Sequence, residues 1–564
     1  MRLLQLFVVL VVAVPVGAQT LSRADHAYID SLVGATYKMN EPGGTVLVAI
    51  NGKPVYRKAF GLASVELKVP NAPESVFRVG SISKQFTAVA MLQLAQAGKL
   101  SLEDDIRKYL PWYDTHGRLI TIANLLSHTS GIPSYTEKPG FEKMMNTTIT
   151  KRGLAEYVMG DSLLFEPGTD WSYSNTGYAM ANLVIEAVSE MPFEDYLQRN
   201  IFQALGMRYS TTGSNDRTIP GAVTGYDRIG EGQYKPSACL DWSWPYGGGQ
   251  VLSSVDDMLK WDEALYTDKV LEEQWRAKAW TSFILADGRE SNYGFGWSVG
   301  TWKGLKVIEH GGAINGFLSN AIRIPSKHVY VIALSNNTSA PPRFTDQIAL
   351  RLAGQPMVLP VALEADSATL NDYVGMFLVE RSGGRLTSNS TTEQLYRAIT
   401  LSNDTLSAQV TGGAKTPLRP IGKDLFTFGE SFTFARFVRN PDGAVTAVEI
   451  SQEPITIGPA SVEKKTDVPL PAPKPTVTLD AKTLERYRGK YQLVPGFIIE
   501  ITTEGDRIFG QATGQPRFEL FPESDTLFNL RVVDASIEFV LDEKGEVVSA
   551  FLNQRGRRPL TKID

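Results

Sequence analysis

Beyond residue 367 the chain repeats itself. Asp404, Gln409, Gly412, Pro420, Phe426, Phe437, Gly443 and Gln452 recur as Asp506, Gln511, Gly514, Pro522, Phe528, Phe539, Gly545 and Gln554, every pair 102 positions apart. An opening set, Tyr373-x-Gly375-x-Phe377 against Tyr487-x-Gly489-x-Tyr491, stands 114 apart, so the first copy carries about twelve extra residues, placed within residues 381–397. Short alternating runs and turn residues mark both copies as all-β. Two modules of this size, residues 367–456 and 483–564, fit small closed barrels better than open sheets, because closure removes edge strands. Between them the prolines at 469, 471, 473 and 475 mark residues 457–482 as a stiff extended spacer.

The duplication leaves most of the 564 residues to be explained. At about 150 residues per domain the length suggests some four units. Residues 21–355 mix both periodicities. A helix over residues 23–39 leads to strands around the hairpin-type turn Asn51-Gly52. Helical stretches follow, then strands over 306–309, 317–324 and 329–335 and a closing helix over 343–353. Strands at both ends with helices between predict an α/β domain, one sheet built from both ends of the segment and flanked by helices.

The first eighteen residues read as an address. Arg2 is followed by an apolar run from Leu3 to Val14, broken by Gln5, and Val16-Gly17-Ala18 offers a cleavage site before Gln19. This is the pattern of a secretory signal peptide, residues 1–18. The run is too short for a membrane span, which needs ~20 residues, and no cysteine stands at the cut to take a lipid. The expectation is an exported bacterial protein, periplasmic or secreted, with no membrane span in its mature form.

Composition narrows the chemistry. Fifty-six basic against sixty-one acidic residues give a net charge of −5, without the basic stripe that nucleic-acid binding requires. The single cysteine, Cys239, excludes an intrachain disulfide and cysteine-based metal sites. The five histidines form no His-x-x-x-His pair, so neither a metal nor a cofactor is expected. Hydroxyls, amines and carboxylates remain.

The segment Phe77-Arg78-Val79-Gly80-Ser81-Ile82-Ser83-Lys84 gathers them. A strand ends at Gly80, and a helix is predicted from Ser81 to a cap at Gly98. A spacing of three puts Ser81 and Lys84 on one face. Ser81 then stands at a helix N-terminus, where free amides favour a developing oxyanion. The residues after Lys84 are apolar nearly all round, which predicts a buried helix. A buried ammonium loses its proton more easily and can act as base toward a serine. Ser-x-x-Lys alone is a weak signal: Ser461 and Lys464 repeat it in the spacer without such a context. The competing account of the first is a serine N-cap with a lysine reaching for solvent.

Two further segments weigh in. Trp171-Ser172-Tyr173-Ser174-Asn175-Thr176-Gly177-Tyr178 precedes a helical run, and Tyr173-x-Asn175 can set a phenol beside an amide. Val307-Ile308-Glu309-His310-Gly311-Gly312 ends a strand whose glycines let a substrate lie close, with His310 offering a hydrogen bond. Together these motifs, in this order and at these separations, resemble the penicillin-recognising serine hydrolases: class C β-lactamases, D-alanyl-D-alanine peptidases, D-aminopeptidases and related esterases. The resemblance covers residues 21–355. It is supported by Leu125-Leu126-Ser127-His128-Thr129-Ser130-Gly131 and by Gly247-Gly248-Gly249 ahead of Ser253-Ser254.

The resemblance implies a β-lactamase/transpeptidase-like fold, an antiparallel sheet flanked by helices. It implies Ser81 as nucleophile, with Lys84 and Tyr173 removing its proton, either one as base. It gives Asn175 the task of orienting Lys84 and the substrate, and the amides of Ser81 and Ala313 the oxyanion, Ala313 following His310-x-Gly312. Where β-lactamases open the third motif with lysine, this chain has His310, as do some D-alanyl-D-alanine peptidases and D-aminopeptidases. The trailing barrels are similar to the C-terminal pair of the D-aminopeptidases. The implied activity is a peptidase on short or D-residue-containing peptides. An esterase, a weak β-lactamase and a non-catalytic ligand-binding protein are the alternatives, and under the last the barrels would hold apolar ligands. The expected partner is a small peptide, amide or ester substrate. Whether the barrels gate the cleft or assemble a homo-oligomer stays open.

Other features have plainer readings. Gly296-Trp297-Ser298-Val299-Gly300 matches the nucleophile elbow of α/β hydrolases, but no helix is predicted after it. His128 reads as a side chain bonding local backbone, and Asp256 and Asp257 as charges at a helix start. Trp242, Trp244 and Tyr246 line a cleft or simply pack.

Overall fold

The computed structural model describes residues 20–365, 367–379, 395–455, 458, 460–472, 475–494, 497–554 and 556–563. The predicted signal peptide lies outside them, as does most of the insertion expected within residues 381–397. Among the described residues no helix is long and apolar enough to cross a membrane.

Helix α1 (Arg23–Thr36) is capped by the Ser22 hydroxyl, which accepts from the Asp25 amide, and it ends three residues before the predicted stop. It leads into strands β1 (Gly44–Ile50) and β2 (Lys53–Phe60), turning at Asn51-Gly52 as expected, with both turn residues at positive φ. The late strands are β3 (Ser298–Trp302), β4 (Leu305–Ile314), β5 (Phe317–Ile324) and β6 (Val329–Ser335). The sheet order is β3-β4-β5-β6-β1-β2, all antiparallel, with Gly44 opposite Ser335 and Ile50 opposite Val329. The two ends of the segment therefore meet in the middle of one sheet. β1 and β6 are buried on both faces, as their continuous apolar runs demand.

Each face of this sheet carries a core. On one, α1 and α2 (Phe344–Leu352) pack Ile29, Val33, Phe344 and Ile348 against Val46, Val48, Val307 and Val331. On the other lies the larger core around helix α3 (Ser83–Gln96), whose residues from Ser83 to Leu92 are all buried. This helix stops where glycine takes the left-handed conformation: Gly98 has φ +68°, and the Lys99 amide bonds back to the Leu94 carbonyl.

Past residue 366 stand two closed eight-stranded antiparallel barrels, running from Gly375–Leu378 to Ser461–Thr466 and from Gly489–Val494 to Arg557–Lys562. The closing strand of the first, Ser461–Thr466, falls inside the stretch expected to be spacer, so the barrel extends ten residues beyond the predicted boundary at 456 and the link between barrels is shorter. The repeat in sequence is a repeat in space. Tyr373 lies 4.9 Å from Phe426 and 4.6 Å from Phe437, while Tyr487 lies 4.7 Å from Phe528 and 4.8 Å from Phe539. These rings occupy each barrel's interior as a packed core rather than a ligand chamber.

The first barrel docks on the α/β domain through Ile455, buried among the residues beneath α1 and α2. Gly300 makes room for it, since a Cβ there would fall 2.7 Å from the Ile455 side chain. The barrels join each other through a bridge between Ala414 and Val533, with the Asp534 amide bonding the Gly413 carbonyl at 3.1 Å.

Candidate active site

The nucleophile segment departs slightly from the predicted helix. Gly80–Ile82 form a 3₁₀ turn, and the α-helix begins at Ser83, placing Ser81 on the turn itself. Gly80 has φ +54°, and a Cβ there would lie 2.9 Å from the Ala313 amide nitrogen. Only glycine both takes this conformation and lets β4 come so near. Gly312 serves the same approach from the other side: its missing Cβ would fall 2.1 Å from the Val79 carbonyl oxygen and 2.3 Å from Ser319 Oγ. Ser319 itself donates to that carbonyl at 2.8 Å, tying β5 to the strand before Ser81. The turn between β4 and β5 pairs Ile314 with Phe317, and residues then alternate between bonding β5 and facing outward. By that alternation Gly311 and Ala313 present their backbone groups away from β5, along the edge beside Ser81.

Lys84 is completely buried. Its Nζ lies 3.1 Å from Ser81 Oγ, 2.8 Å from Asn175 Oδ1 and 2.9 Å from the Gly248 carbonyl oxygen. It also sits over the ring of Tyr173, 4.7 Å from its centroid. Burial without a carboxylate partner pushes this amine well below the ordinary lysine range, toward its neutral form. Asn175 is the first residue of helix α4 (Asn175–Ser189), capped by Ser174, whose hydroxyl accepts from the Gly177 amide at 3.1 Å. Asn175 Nδ2 donates to Thr136 Oγ1 at 3.2 Å, which leaves Oδ1 facing Lys84.

His310 is nearly as deeply buried as Lys84. Its Nδ1 stands 2.5 Å from the Gly311 carbonyl oxygen and its Nε2 stands 2.8 Å from the Tyr293 hydroxyl. His128 forms the floor: it stacks on Tyr173 at 4.3 Å, accepts at Nδ1 from the Ser174 amide at 3.1 Å, and takes the Ser172 amide on its own carbonyl. The ring does bond backbone, but that of a segment 46 positions along the chain rather than the local backbone expected of it. Burial, and then the neighbouring Lys84 and His310, drive its ring well below the usual histidine range, so it is neutral.

A cavity of about 440 Å³ opens over this assembly, lined by Ser81, Tyr173, Asn175, His310, Gly312 and Ala313 among others. All seven residues singled out in the sequence thus meet at one place. Reading the sequence missed Tyr293, Ser319 and Trp171, which also line the cavity, and the Gly248 carbonyl that holds Lys84. Gly248 was visible in the glycine run as a supporting fragment without a task; a Cβ there would crowd Lys84 Nζ at 3.3 Å. Of the aromatics around that run, Trp244 is core, with Nε1 donating to the Thr147 carbonyl, and Trp242 lies under Arg78. The elbow-like motif is a strand start at Ser298 with no helix after it. Its Gly296, at φ +85°, lies against the Lys84 carbonyl.

Known proteins resemble this chain in family and fold. The family described as Beta-lactamase matches residues 29–355, and a domain of unknown function (DUF3471) matches residues 473–561, the second barrel. Penicillin-binding protein 4* of Bacillus subtilis (strain 168) is 26% identical over 533 residues, 92% of this chain and 94% of its own length. A D-aminopeptidase of Gluconobacter oxydans (strain 621H) is 27% identical over 337 residues, 59% of this chain and 63% of its own. The crystal structure of a D-stereospecific amidohydrolase from Streptomyces sp. superposes with a TM-score of 0.50 at 25% identity, covering 57% of this chain and 98% of that one. With more than half its length matched and its Ser-x-x-Lys, Tyr-x-Asn and His-x-Gly motifs converging on one cavity, the chain belongs to the beta-lactamase family of serine hydrolases.

Proposed function

We propose that the protein is an exported amide and peptide hydrolase that works through an acyl-enzyme on short or D-residue-containing peptides. The observation that carries this is the contact of Lys84 Nζ with Ser81 Oγ at 3.1 Å, in a buried setting that lowers the proton affinity of the amine. Neutral Lys84 takes the Ser81 proton as the oxygen attacks the substrate carbonyl. The tetrahedral oxyanion forms against the amides of Ser81 and Ala313, and Asn175 keeps Lys84 aimed. The proton passes to the departing amine, with Tyr173 beside Lys84 to assist, and the C–N bond breaks. Water then attacks the Ser81 ester by the same route in reverse and frees the acid.

The family's third motif begins here with a histidine rather than a lysine, and the relatives include proteins named D-aminopeptidase and D-stereospecific amidohydrolase. Both favour the peptidase reading over β-lactam hydrolysis; an esterase on the same machinery is the second reading.

A fluorophosphonate probe should label the wild-type protein and not Ser81→Ala. Matched L- and D-aminoacyl amides, short peptides, esters and a cephalosporin would then rank the substrates. A folded protein that takes no label and turns over none of them would end the hydrolase reading. Export is tested separately, by finding Gln19 at the N-terminus of the mature protein.

A further inference from the structure

Room in the cavity is not shared equally between the two sides of Ser81. Strand β4 is paired with β3 only as far as Glu309, which stands opposite Ser298, and its turn into β5 begins at Ile314. Between these points no strand pairs with its outer edge among the described residues, and Gly311 and Ala313 are the outward-facing positions. A peptide laid along this edge adds a strand to a sheet whose every pair is antiparallel. It therefore runs against β4, its N-terminal side toward the turn and its C-terminal side toward Glu309. With the scissile carbonyl at the Ala313 amide, the acyl group lies at the turn and the departing chain lies toward Glu309.

At the turn the edge is stopped. Asn315 holds the next outward-facing position by alternation, and its side chain crosses to two other segments. Its Nδ2 donates to the Ala238 carbonyl at 3.0 Å and lies 3.8 Å from Met145 Sδ. Those segments are tied to each other as well, the Asp241 amide donating to the Met145 carbonyl at 2.8 Å. Ile314 leans on the glycine run, 3.7 Å from where Gly249 would carry a Cβ. At the other end the cavity continues. It passes Glu309 and Gly311 and reaches Pro341, Pro342 and Asp346 at the start of α2. Gly311 keeps this passage wide, since even a Cβ there would meet nothing nearer than Asn320 Oδ1 at 3.6 Å.

We propose that the crossing made by Asn315 limits the acyl side to a single residue while the far passage admits a departing chain of several, so that the enzyme removes residues one at a time from the N-terminal end of a peptide. This rests on the hydrolase reading above and names the bond that the same site cuts. Asn315 is a positioning residue, acting through the two segments it holds across the end of β4.

The test uses full-length protein and alanine pentapeptides, in D and L series, with ¹³C in the N-terminal residue. Early products, read by mass spectrometry, should be labelled free alanine and an unlabelled tetrapeptide. A labelled dipeptide as the main product, or unlabelled alanine released first, overturns the proposal. In Asn315→Ala the ratio of labelled dipeptide to labelled alanine should rise about tenfold, the low end of what one small group in a pocket decides. Gly311→Val narrows the other passage and should lower kcat/KM for the pentapeptide, relative to the dipeptide, by a similar factor. An unmoved ratio in either variant also counts against it. A readout without turnover separates this from failure of the hydrolase reading. In full-length Ser81→Ala, a tetrapeptide with a diazirine on its C-terminal residue should crosslink to residues 341–346, and one with the diazirine on its N-terminal residue to Met145 or residues 238–241. The reverse pattern, or crosslinks in neither place, sinks the proposal whether or not any peptide is cleaved.

Discussion

Gly312 and Val79 touch backbone to backbone, so closely that a single methyl group on Gly312 would fall 2.1 Å from the Val79 carbonyl oxygen. That contact sets the distance between β4 and the turn carrying Ser81, and with it the spacing of the two oxyanion amides. Gly312→Ala must push the strand outward. Loss of one oxyanion donor costs about 10²–10³ in turnover in other hydrolases, and a fall of that size in kcat is expected here, together with a lowered thermal midpoint because the methyl overpacks a close contact. Single-turnover acylation would measure it. A variant acylating at the wild-type rate would remove Ala313 from the oxyanion site.

Lys84 gives the activity its acid limb. Its proton affinity is lowered by burial, so the amine stays free to a lower pH than an ordinary lysine and gains a proton only as the pH falls through that depressed value. Activity should rise with pH through that value and then level off, without waiting for the ordinary lysine range near 10.4. Lys84→Met should lower kcat by about 10²–10⁴, the usual worth of general-base catalysis. The linkage to stability runs the same way. A lysine neutral in the fold and charged when unfolded makes the unfolded chain bind more protons, so its contribution becomes more favourable as pH rises toward the unfolded value. In Lys84→Met this part of the pH dependence of the denaturation midpoint should vanish.

Stability away from the site has its own weak point. Arg323 and Asp262 form an ion pair at 3.0 Å with both side chains almost fully buried, the guanidinium lying over the rings of Tyr266 and Trp280. Removing one charge strands the other, and a loss of about 3–5 kcal/mol is expected for Asp262→Ala. Denaturant unfolding of the paired variant Asp262→Leu/Arg323→Met should recover most of it. Equal losses in both would mean that packing, not charge, holds this region.

Docking of the first barrel should fail without unfolding either partner. Gly300→Val places a side chain where Ile455 packs, and the expected result is new protease cleavage between residues 355 and 366 at an almost unchanged circular dichroism spectrum. The same variant should alter the preference for bulky acyl groups, because Gly458 of that barrel bears on Trp171 and takes a hydrogen bond from Asn292 Nδ2 at 2.9 Å. Unaltered preference in a detached barrel would deny it any part in shaping the cleft.

Much of the catalytic centre was readable because its residues sit at points where local rules are strong. Gly80 opens a helical turn, Ser174 caps α4, and Gly98 ends α3, each a position with a backbone requirement of its own. Tyr293 was not readable. It belongs to an irregular segment without periodicity, and its partner His310 is 17 positions away on a strand. The closing strand Ser461–Thr466 was hidden for another reason: its pattern is inverted, with Val462 turned to solvent and Glu463 buried. Glu463 is tolerable inside because Arg397 meets it at 2.7 Å, a pairing that alternation of apolar residues cannot announce. The duplicated aromatic quartets lay at the other extreme, since one offset carried a whole three-dimensional core.

The meeting of β1 with β6 has a consequence in time. Ile50 and Val329 are neighbours in the sheet but 279 positions apart along the chain, counting from 50 to 329. The hairpins β1–β2 and β4–β5 can close as soon as they leave the ribosome, yet β1 keeps an open edge until nearly the whole domain has been made. Such distant pairing is slow to form because a long loop must close before any contact rewards it. Until then, a strand that will be almost wholly enclosed is the one most available to the wrong neighbour.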